Sequence, residues 1–566
     1  MSEKSTTEGL QVDEVHPEKN LDGNSEAKTS DAQSASDTIQ EQTTEIKEEI
    51  QQEEINLESE EQVNVQKSEV QAMPQELIKQ DVTIQETIQK NEISSTDENN
   101  KSQSFSPKEA FEQMLQVYDQ KGPIPRKERI KILKNIRKAL KKQRDDIATT
   151  ISSDFGCRSS YETLAAEIFI TCKAIKYNLL YMDEWMESEY PEVDWLFWPA
   201  GLEIQKQPLG VVGIISPWNY PLQLSLLPLI AAITAGNRVL LKPSEHTSKT
   251  SLFLQKFLQD TCGDDVVRVI LGDADVAKEF SSLPFHHLFF TGSTNVGKMV
   301  MRAASENLTP VTLELGGKSP AIIHESFSIA KAADRIGTGK MFNAGQTCIA
   351  PDYVLCPEDK VDELVECLKK VIEKSYPTLQ ENKEYTAIIN EKQKMRLQFL
   401  LDDAKEKGAN LTPINPNKEE MSSKIQPYIL TQLTDDMVVM QEEIFGPILP
   451  IVPYKNLDDA INYVNKRERP LALYYFDHKN SRIQHILQQT ISGGVCINDT
   501  ILQVSQENMP FGGVGSSGMG AYHGKCGFDT FTHHKSIFIQ SRFSLTPMLT
   551  RPPVAGWIRK LFSFLL

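Results

Sequence analysis

The sequence predicts an α/β fold in which a parallel sheet carries helices on both faces. The stretch after Leu202 predicts it first: strand-like apolar runs and helical stretches take turns along the chain, the rhythm of crossover-connected parallel strands. Length supports it second, because residues 105 to 566 suffice for a large core of two or three domains. A third observation sets where the fold starts: aromatic residues and cysteine begin at Phe105.

Before Phe105 the chain has a different character. Residues 1 to 104 hold 25 Asp and Glu against 8 Lys and Arg, a net of −17, with no Phe, Tyr, Trp or Cys. The whole chain has 60 basic and 78 acidic residues, a net of −18, so the remainder holds 52 and 53 and is −1. A segment of that kind buries too little apolar surface to offset its ordering entropy. Residues 1 to about 104 are therefore expected to be disordered, with Ile and Val between Ile46 and Ile93 leaving room for transient helix. The acidic head repels phosphates, so no nucleic acid partner is expected.

In the body, RKERIKILKNIRKALKKQR at residues 126 to 144 sets Ile130, Leu133, Ile136 and Leu140 at helical spacing. That predicts a surface helix packed by one stripe, its basic face solvated. GVVGIIS, a helix from about Leu222, RVLLKPS and a helix from about Thr247 come next. VVRVIL, HHLFFTGS and VTLEL continue the alternation. The start, MSEKSTTEG, lacks the apolar region of a secretory signal, and no run of 18 apolar residues is present. The eight Cys are scattered without CxxC pairing, the pattern of reduced thiols in a cytoplasmic enzyme. No metal is expected: His286 with His287, and His533 with His534, are adjacent pairs without ligand spacing.

Two segments point to chemistry. MFNAGQTCIAPDY (341 to 353) places the Cys348 thiol after a polar turn containing Asn343, Gly345, Gln346 and Thr347. LELGGKSP (313 to 320) places the Glu314 carboxylate in an apolar run that breaks on Gly316 and Gly317. A nucleophile and a potential base at the edges of apolar segments suit covalent catalysis, although a lone Cys is more often a small buried hydrophobe. ISPWNYPLQL (215 to 224) encloses Trp218, Asn219 and Tyr220 between Pro217 and Pro221; a rigidly held Asn amide there donates to an oxyanion or is satisfied by backbone. HHLFFTGSTNVGK (286 to 298) reads as strand, glycine turn and helix, an opening for a pyrophosphate or a structural turn. In LLKPSEHT (240 to 247), Glu245 can accept ribose hydroxyls, and Ser244 with Thr247 can equally cap the next helix. QEEIFGP (441 to 447) and MPFGGVGSSGMG (509 to 520) line a site or merely turn.

Taken in order, SPWNYP, KPSE, FTGSTNVG, LELGGKSP, FNAGQTC, EEIFGP and PFGGVGSSGMG resemble the aldehyde dehydrogenase superfamily, from about Phe105 to about Arg542. FNAGQTCIAPDYV, ISGGVCINDT, VSQENMPFGGVG and GAYHGKCGFDTF are most similar to its coniferyl aldehyde dehydrogenase group. The resemblance implies Cys348 as nucleophile, Asn219 with the Cys348 N–H as oxyanion donors, and Glu314 as the base for water. It implies a cofactor set of Trp218, Lys242, Glu245, Gly292, Ser293, Gly297, Glu443 and Phe445. NAD is the cofactor implied, with NADP second, because Glu245 repels a 2′-phosphate. It implies NAD-dependent oxidation of a small-molecule aldehyde, coniferyl or another aromatic or hydrophobic one, to the acid.

The resemblance also implies the fold and its division. An NAD-binding domain spans 105 to 314, with an oligomerisation arm near 191 to 207. A catalytic domain spans 315 to 500, a return segment 501 to 545 pairs with the arm through a strand near 535 to 542, and an apolar tail spans 546 to 566. A homodimer or higher homo-oligomer is expected. The acidic head is a departure from the family pattern. AGWIRKLFSFLL is another, an amphipathic end suited to packing on a partner subunit or the substrate mouth, with a membrane surface as the less favoured alternative. Two rival functions stand beside this one: a CoA-acylating enzyme, in which a thiol resolves the thioester, and a non-catalytic scaffold acting through its acidic head.

Overall fold

The computed structural model describes residues 106–415, 423–543 and 551–566. The acidic head, and with it the expectation of disorder, lies outside the described residues. Strands β1 (Gly201–Pro208), β2 (Val211–Ile215), β3 (Arg238–Lys242), β4 (Val267–Val269), β5 (His287–Thr291) and β6 (Val311–Glu314) come first along the chain. They are followed by β7 (Pro320–Ile323), β8 (Tyr353–Pro357), β9 (Asn410–Pro413), β10 (Tyr428–Thr431) and β11 (Ile448–Tyr454). The last are β12 (Ala472–Phe476), β13 (Gly494–Ile497), β14 (Gly518–Met519) and β15 (Thr532–Ile539).

One sheet runs β14-β6-β5-β2-β3-β4 and a second runs β13-β12-β7-β8-β11-β10-β9. Pairing is parallel except at β14–β6 and β10–β9. The parallel expectation holds, and the strands read as continuous apolar runs because both faces are covered. In the first sheet Val212, Ile214, Val239, Leu241 and Phe289 pack into one core layer. Their neighbours Val211, Ile215, Leu240, Leu288 and Phe290 pack into the other. That split is the two-residue period of a strand expressed as two layers. A third core, containing Ile322, Val354, Leu430, Ile451 and Tyr474, surrounds the second sheet. The chain crosses between sheets through residues 315–319, and β14 returns to lie beside β6.

Helix Gln223–Ala235, expected from about Leu222, is buried along its whole length. Helix Ser248–Cys262, expected from about Thr247, starts one residue later, directly after a short 3-10 turn over Glu245–Thr247. The basic segment forms helix Arg126–Lys142, but its inner stripe differs from the expected one. Arg129 and Ile132 are buried with Leu133, Ile136 and Leu140, while Ile130 is half-buried. The Arg129 guanidinium earns its place inside by donating to the Ile124 and Thr234 carbonyls, at 2.6 and 3.0 Å, which satisfies the buried charge.

The arm begins later than expected. Pro191 and Pro199 cannot donate to a ladder, and the strand starts at Gly201, pairing antiparallel with β15 of the same chain from Gly201↔Ile539 to Pro208↔Thr532. The ribbon and the loop before it leave Trp195, Trp198, Phe538 and Ile539 exposed. The end of the chain forms helix Gly556–Leu565, with Ile558 buried and Trp557, Phe562 and Phe564 exposed. Packing within its own chain therefore covers only part of that apolar surface. Among the described residues no helix is long and apolar enough to cross a membrane.

Candidate active site

The Cys348 loop leaves helix Ile329–Met341 through three residues of positive φ, Asn343 at 52°, Ala344 at 52° and Gly345 at 76°. The left-handed region is unfavourable for Ala and persists only where the surroundings impose it. Here they do. Asn343 N–H donates to Glu162 Oε1 at 3.1 Å, and its side-chain amide donates to the Asn219 and Gln346 carbonyls at 3.1 and 3.0 Å. The Gln346 amide donates to the Asn343 and Ala387 carbonyls, each at 3.0 Å, and accepts from Ile389 N–H at 3.1 Å. Thr347 and Tyr220 hydroxyls meet at 2.7 Å. The polar residues of this turn are thus occupied in holding it.

Cys348 is half-buried at the end of that turn, a free thiol like the other seven cysteines. Burial pushes its pKa up to about 12, with the Glu443 and Glu314 charges adding and the Cys348 and Ile349 N–H groups opposing. The sulfur therefore lies within electrostatic reach of both carboxylates. Tyr220, Tyr474 and Tyr522 each lie within reach of it as well. Asn219 is buried in the turn between Pro217 and Pro221, and its Nδ2 donates to the Gln346 carbonyl at 3.2 Å. An amide nitrogen carries two hydrogens, so a second donor remains.

Glu314 ends β6, buried, and neither carboxylate oxygen has a hydrogen-bond partner among the described residues. Burial holds its pKa well above the usual carboxylate value. The glycine-rich loop explains the enclosure: Gly518 pairs with Glu314, and Leu315 N–H donates to the Ser517 carbonyl at 3.1 Å. Gly518 has φ of 140° and stands directly against the Leu313 carbonyl, where a side chain has no room. Glu443 approaches from the second sheet. A Cβ on Gly316 would lie 2.6 Å from its carboxyl carbon, so the Gly316–Gly317 break makes room for the acid. Burial and then the neighbouring Asp352 raise Glu443 to about 8, against the Gly317 N–H, Arg396 and Lys318. Phe445, at φ 51°, meets Trp218 edge-on with centroids 5.4 Å apart.

The remaining predicted residues gather at the carboxyl ends of the adjacent strands β3, β2 and β5, where open α/β sheets bind ligands. Lys242 ends β3, buried, and its Nζ donates to Glu245 Oε2 at 3.0 Å. Ser244 caps the short turn by accepting from His246 N–H at 3.2 Å, so cap and carboxylate coexist. Glu245 is half-exposed; burial alone would raise its pKa, but its own backbone N–H and Lys242 pull it below the usual value. Ser293 caps helix Thr294–Ser305, whose first turn is exposed, and Gly292 precedes it. Gly297 is buried against Leu315, where a Cβ would come within 2.6 Å of its side chain. An open helix N-terminus beside a half-exposed carboxylate and a buried lysine fits a dinucleotide. Among the described residues no cluster of His, Cys, Asp or Glu could hold a metal.

Sequence reasoning missed Glu162, Glu167 and Arg158, which lie behind the Asn219 and Cys348 turns. The signal was present in YETLAAEIFI, where two glutamates interrupt an apolar stretch.

The aldehyde dehydrogenase family model matches residues 79–537. A probable coniferyl aldehyde dehydrogenase of Pseudomonas aeruginosa is 51% identical over 434 residues, 77% of this chain and 90% of that one. A 4,4'-diaponeurosporen-aldehyde dehydrogenase of Staphylococcus aureus is 41% identical over 433 residues, 76% of this chain and 93% of that one. The solved substrate-bound Staphylococcus aureus AldH matches with a TM-score of 0.77 at 39% identity, covering 81% of this chain and 99% of that one.

Proposed function

The chain belongs to the aldehyde dehydrogenase family, and from that premise we propose that its NAD-dependent oxidation of an aldehyde to the carboxylic acid runs on Cys348, Asn219 and Glu314. The observation that carries the assignment is the buried Glu314 carboxylate, without a hydrogen-bond partner among the described residues and within electrostatic reach of the Cys348 sulfur.

The thiolate is the nucleophile, and a thiol held near 12 gives up its proton as the C–S bond forms. That proton passes to solvent, and Glu314, its basicity raised by the same enclosure, stays free to act on water. The carbonyl oxygen becomes the alkoxide of a thiohemiacetal, and the free hydrogen of Asn219 Nδ2 together with the Cys348 N–H stabilises it. NAD, when bound, supplies the hydride acceptor that turns the thiohemiacetal into a thioester. Lys242 and Glu245 would hold the adenosine ribose, Gly292 and Ser293 the pyrophosphate, with Gly297 seating their helix against Leu315 rather than touching the cofactor, and Glu443, Phe445 and Trp218 the nicotinamide end. Glu314 then takes a proton from water, hydroxide adds to the thioester, and the acid leaves as Glu314 returns that proton to the sulfur.

Water rather than a CoA thiol resolves the thioester, because a base for water is built beside the sulfur. The names of the Pseudomonas relatives support an aromatic aldehyde such as coniferyl aldehyde. The exposed ribbon β1–β15 and the uncovered face of helix Gly556–Leu565 close on a partner subunit in a homo-oligomer. Free thiols at every cysteine accord with a cytoplasmic location.

The test is stopped-flow NADH formation with coniferyl aldehyde and no CoA. Cys348→Ala should abolish turnover, and Glu314→Gln should retain a burst while losing steady-state turnover. A Glu314→Gln enzyme with native steady-state rate would remove the base from Glu314. An acid product that appears only when CoA is added would favour the rival chemistry.

A further inference from the structure

Behind the turn that carries Asn219 lies a buried ion pair that the chemistry above does not use. Arg158 Nη1 stands 3.0 Å from Glu167 Oε1, with both side chains fully enclosed. Burying two charges is costly unless the geometry is fixed and further hydrogen bonds satisfy them, so what each partner holds matters. Glu167 Oε2 accepts from Leu222 N–H at 2.7 Å and Gln223 N–H at 3.1 Å, at the start of helix Gln223–Ala235. It does so from a π-helical turn, Thr163–Phe169, a rare irregularity that gathers at functional sites.

Arg158 Nη1 donates to the backbone carbonyl of Asn219 at 2.9 Å. Its Nε and Nη2 have no partner among the described residues, so that carbonyl is the one hydrogen-bond acceptor the guanidinium engages outside the ion pair. The guanidinium carbon is 5.0 Å from the Phe155 ring centroid and 4.8 Å from that of Tyr220, positions that favour a cation against aromatic faces. Asn343 Nδ2 donates to the same Asn219 oxygen at 3.1 Å. The peptide that carries the oxyanion donor is thus clamped between the Cys348 loop and Arg158.

We propose that Arg158, locked in place by Glu167, is a positioning residue for Asn219, fixing the backbone from which the amide reaches the reacting oxygen. The proposal rests on the oxyanion role given to Asn219 above. An ion pair that only filled the core would lower stability and every property of the site together when broken; a positioning pair acts through Asn219 alone.

A double-mutant cycle separates these cases. Arg158→Lys keeps the positive charge beside Glu167, but its shorter chain ends short of the Nη1 position from which both the carboxylate and the Asn219 carbonyl are reached. Arg158→Lys, Asn219→Ala and the double variant are compared by NADH burst rate, NAD dissociation constant and the rate of Cys348 alkylation by iodoacetamide, a reaction that forms no oxyanion. The expected result is a burst slowed about tenfold or more by Arg158→Lys, with NAD affinity and alkylation unchanged and no further loss in the Asn219→Ala background. Losses that multiply in the double variant, or alkylation that falls with the burst, overturn the proposal. Should Arg158→Lys fail to fold, Glu167→Gln, which keeps an acceptor for the Leu222 and Gln223 N–H groups, is carried through the same cycle. An Asn219→Ala enzyme with a native burst would instead overturn the oxyanion role itself, a separate failure.

Discussion

Replacing Gly345 with Ala should disarm Cys348 without touching it. Gly345 has φ of 76°, and a Cβ there would lie 2.6 Å from the Gly446 carbonyl carbon and closer still to its oxygen. The obstacle is backbone, so no rotamer change relieves it; one of the two loops must move by nearly 1 Å to restore a normal contact of about 3.4 Å. The left-handed conformation costs an L residue a further 1–2 kcal/mol, roughly. Together these predict a loss of about 2–4 kcal/mol. Because Cys348 is three residues further on and Glu443 lies on the loop that ends at Gly446, a shift of that size should lower kcat by about a hundredfold. Binding of ADP-ribose should change little, since Lys242, Glu245 and Gly292 lie at the ends of β3 and β5 in the other sheet, whereas the KM for NAD should rise as Glu443 shifts with its loop. Gly408→Ala is the control: its φ is 93° with nothing within 4 Å of the added carbon. It carries the conformational cost alone, about 1 kcal/mol, and should keep native turnover. Denaturant unfolding and steady-state kinetics measure both variants. A Gly345→Ala enzyme within twofold of native kcat, or a Gly408→Ala enzyme that loses turnover equally, would mean that the Gly446 contact does not hold the Cys348 loop in place.

Gly316→Ala should behave differently, because the carbon it adds meets the end of the Glu443 side chain rather than backbone. Stability should hold within about 1 kcal/mol while the KM for NAD rises about tenfold, as Glu443 leaves the Gly317 N–H; an unchanged KM would contradict the role given to Glu443. Phe289→Ala should cost about 3–5 kcal/mol in denaturant unfolding, since the ring is 1% exposed in the layer under the first sheet. With Cys348 held near 12, its alkylation in the protein without cofactor should quicken about tenfold per pH unit from 7 to 9; a plateau below pH 8 would place the thiol far lower. Glu443 is raised to about 8 in the fold, so between the unfolded carboxylate value near 4.5 and pH 8 the folded state holds a proton the unfolded state has lost. That group's contribution to stability is present at low pH and is lost as pH rises through the window. Glu443→Gln should therefore flatten the pH dependence of unfolding between 5 and 8, and an unchanged slope would deny the shift.

What the sequence disclosed and what it hid follow from one difference, local against long-range. Strands such as VVGII and RVLLK, buried on both faces, announce themselves by composition alone. Cys348, Glu314 and Gly292 sit where an apolar run meets a glycine turn, a junction readable within a few residues. Arg158, Glu162 and Glu167 act on Asn219, Asn343 and Leu222 at separations of 61, 181 and 55 residues, and no local pattern encodes such pairings. The same holds for Arg129, whose acceptor Thr234 lies 105 residues away and which therefore looked like part of a solvated basic face. Glu443 was legible as part of a motif, whereas its dependence on the missing side chain of Gly316 was not, because that contact joins the two sheets' loops.

The central claim is that Cys348 carries the substrate as a thioester that Glu314 releases. Intact-mass spectrometry of Glu314→Gln protein, quenched in acid after mixing with NAD and coniferyl aldehyde, tests it most directly. One added acyl mass is expected, located on the peptide containing Cys348 and absent from the Cys348→Ala, Glu314→Gln double variant. No adduct in the single variant while NADH is formed, or an adduct that survives loss of the thiol, would contradict it.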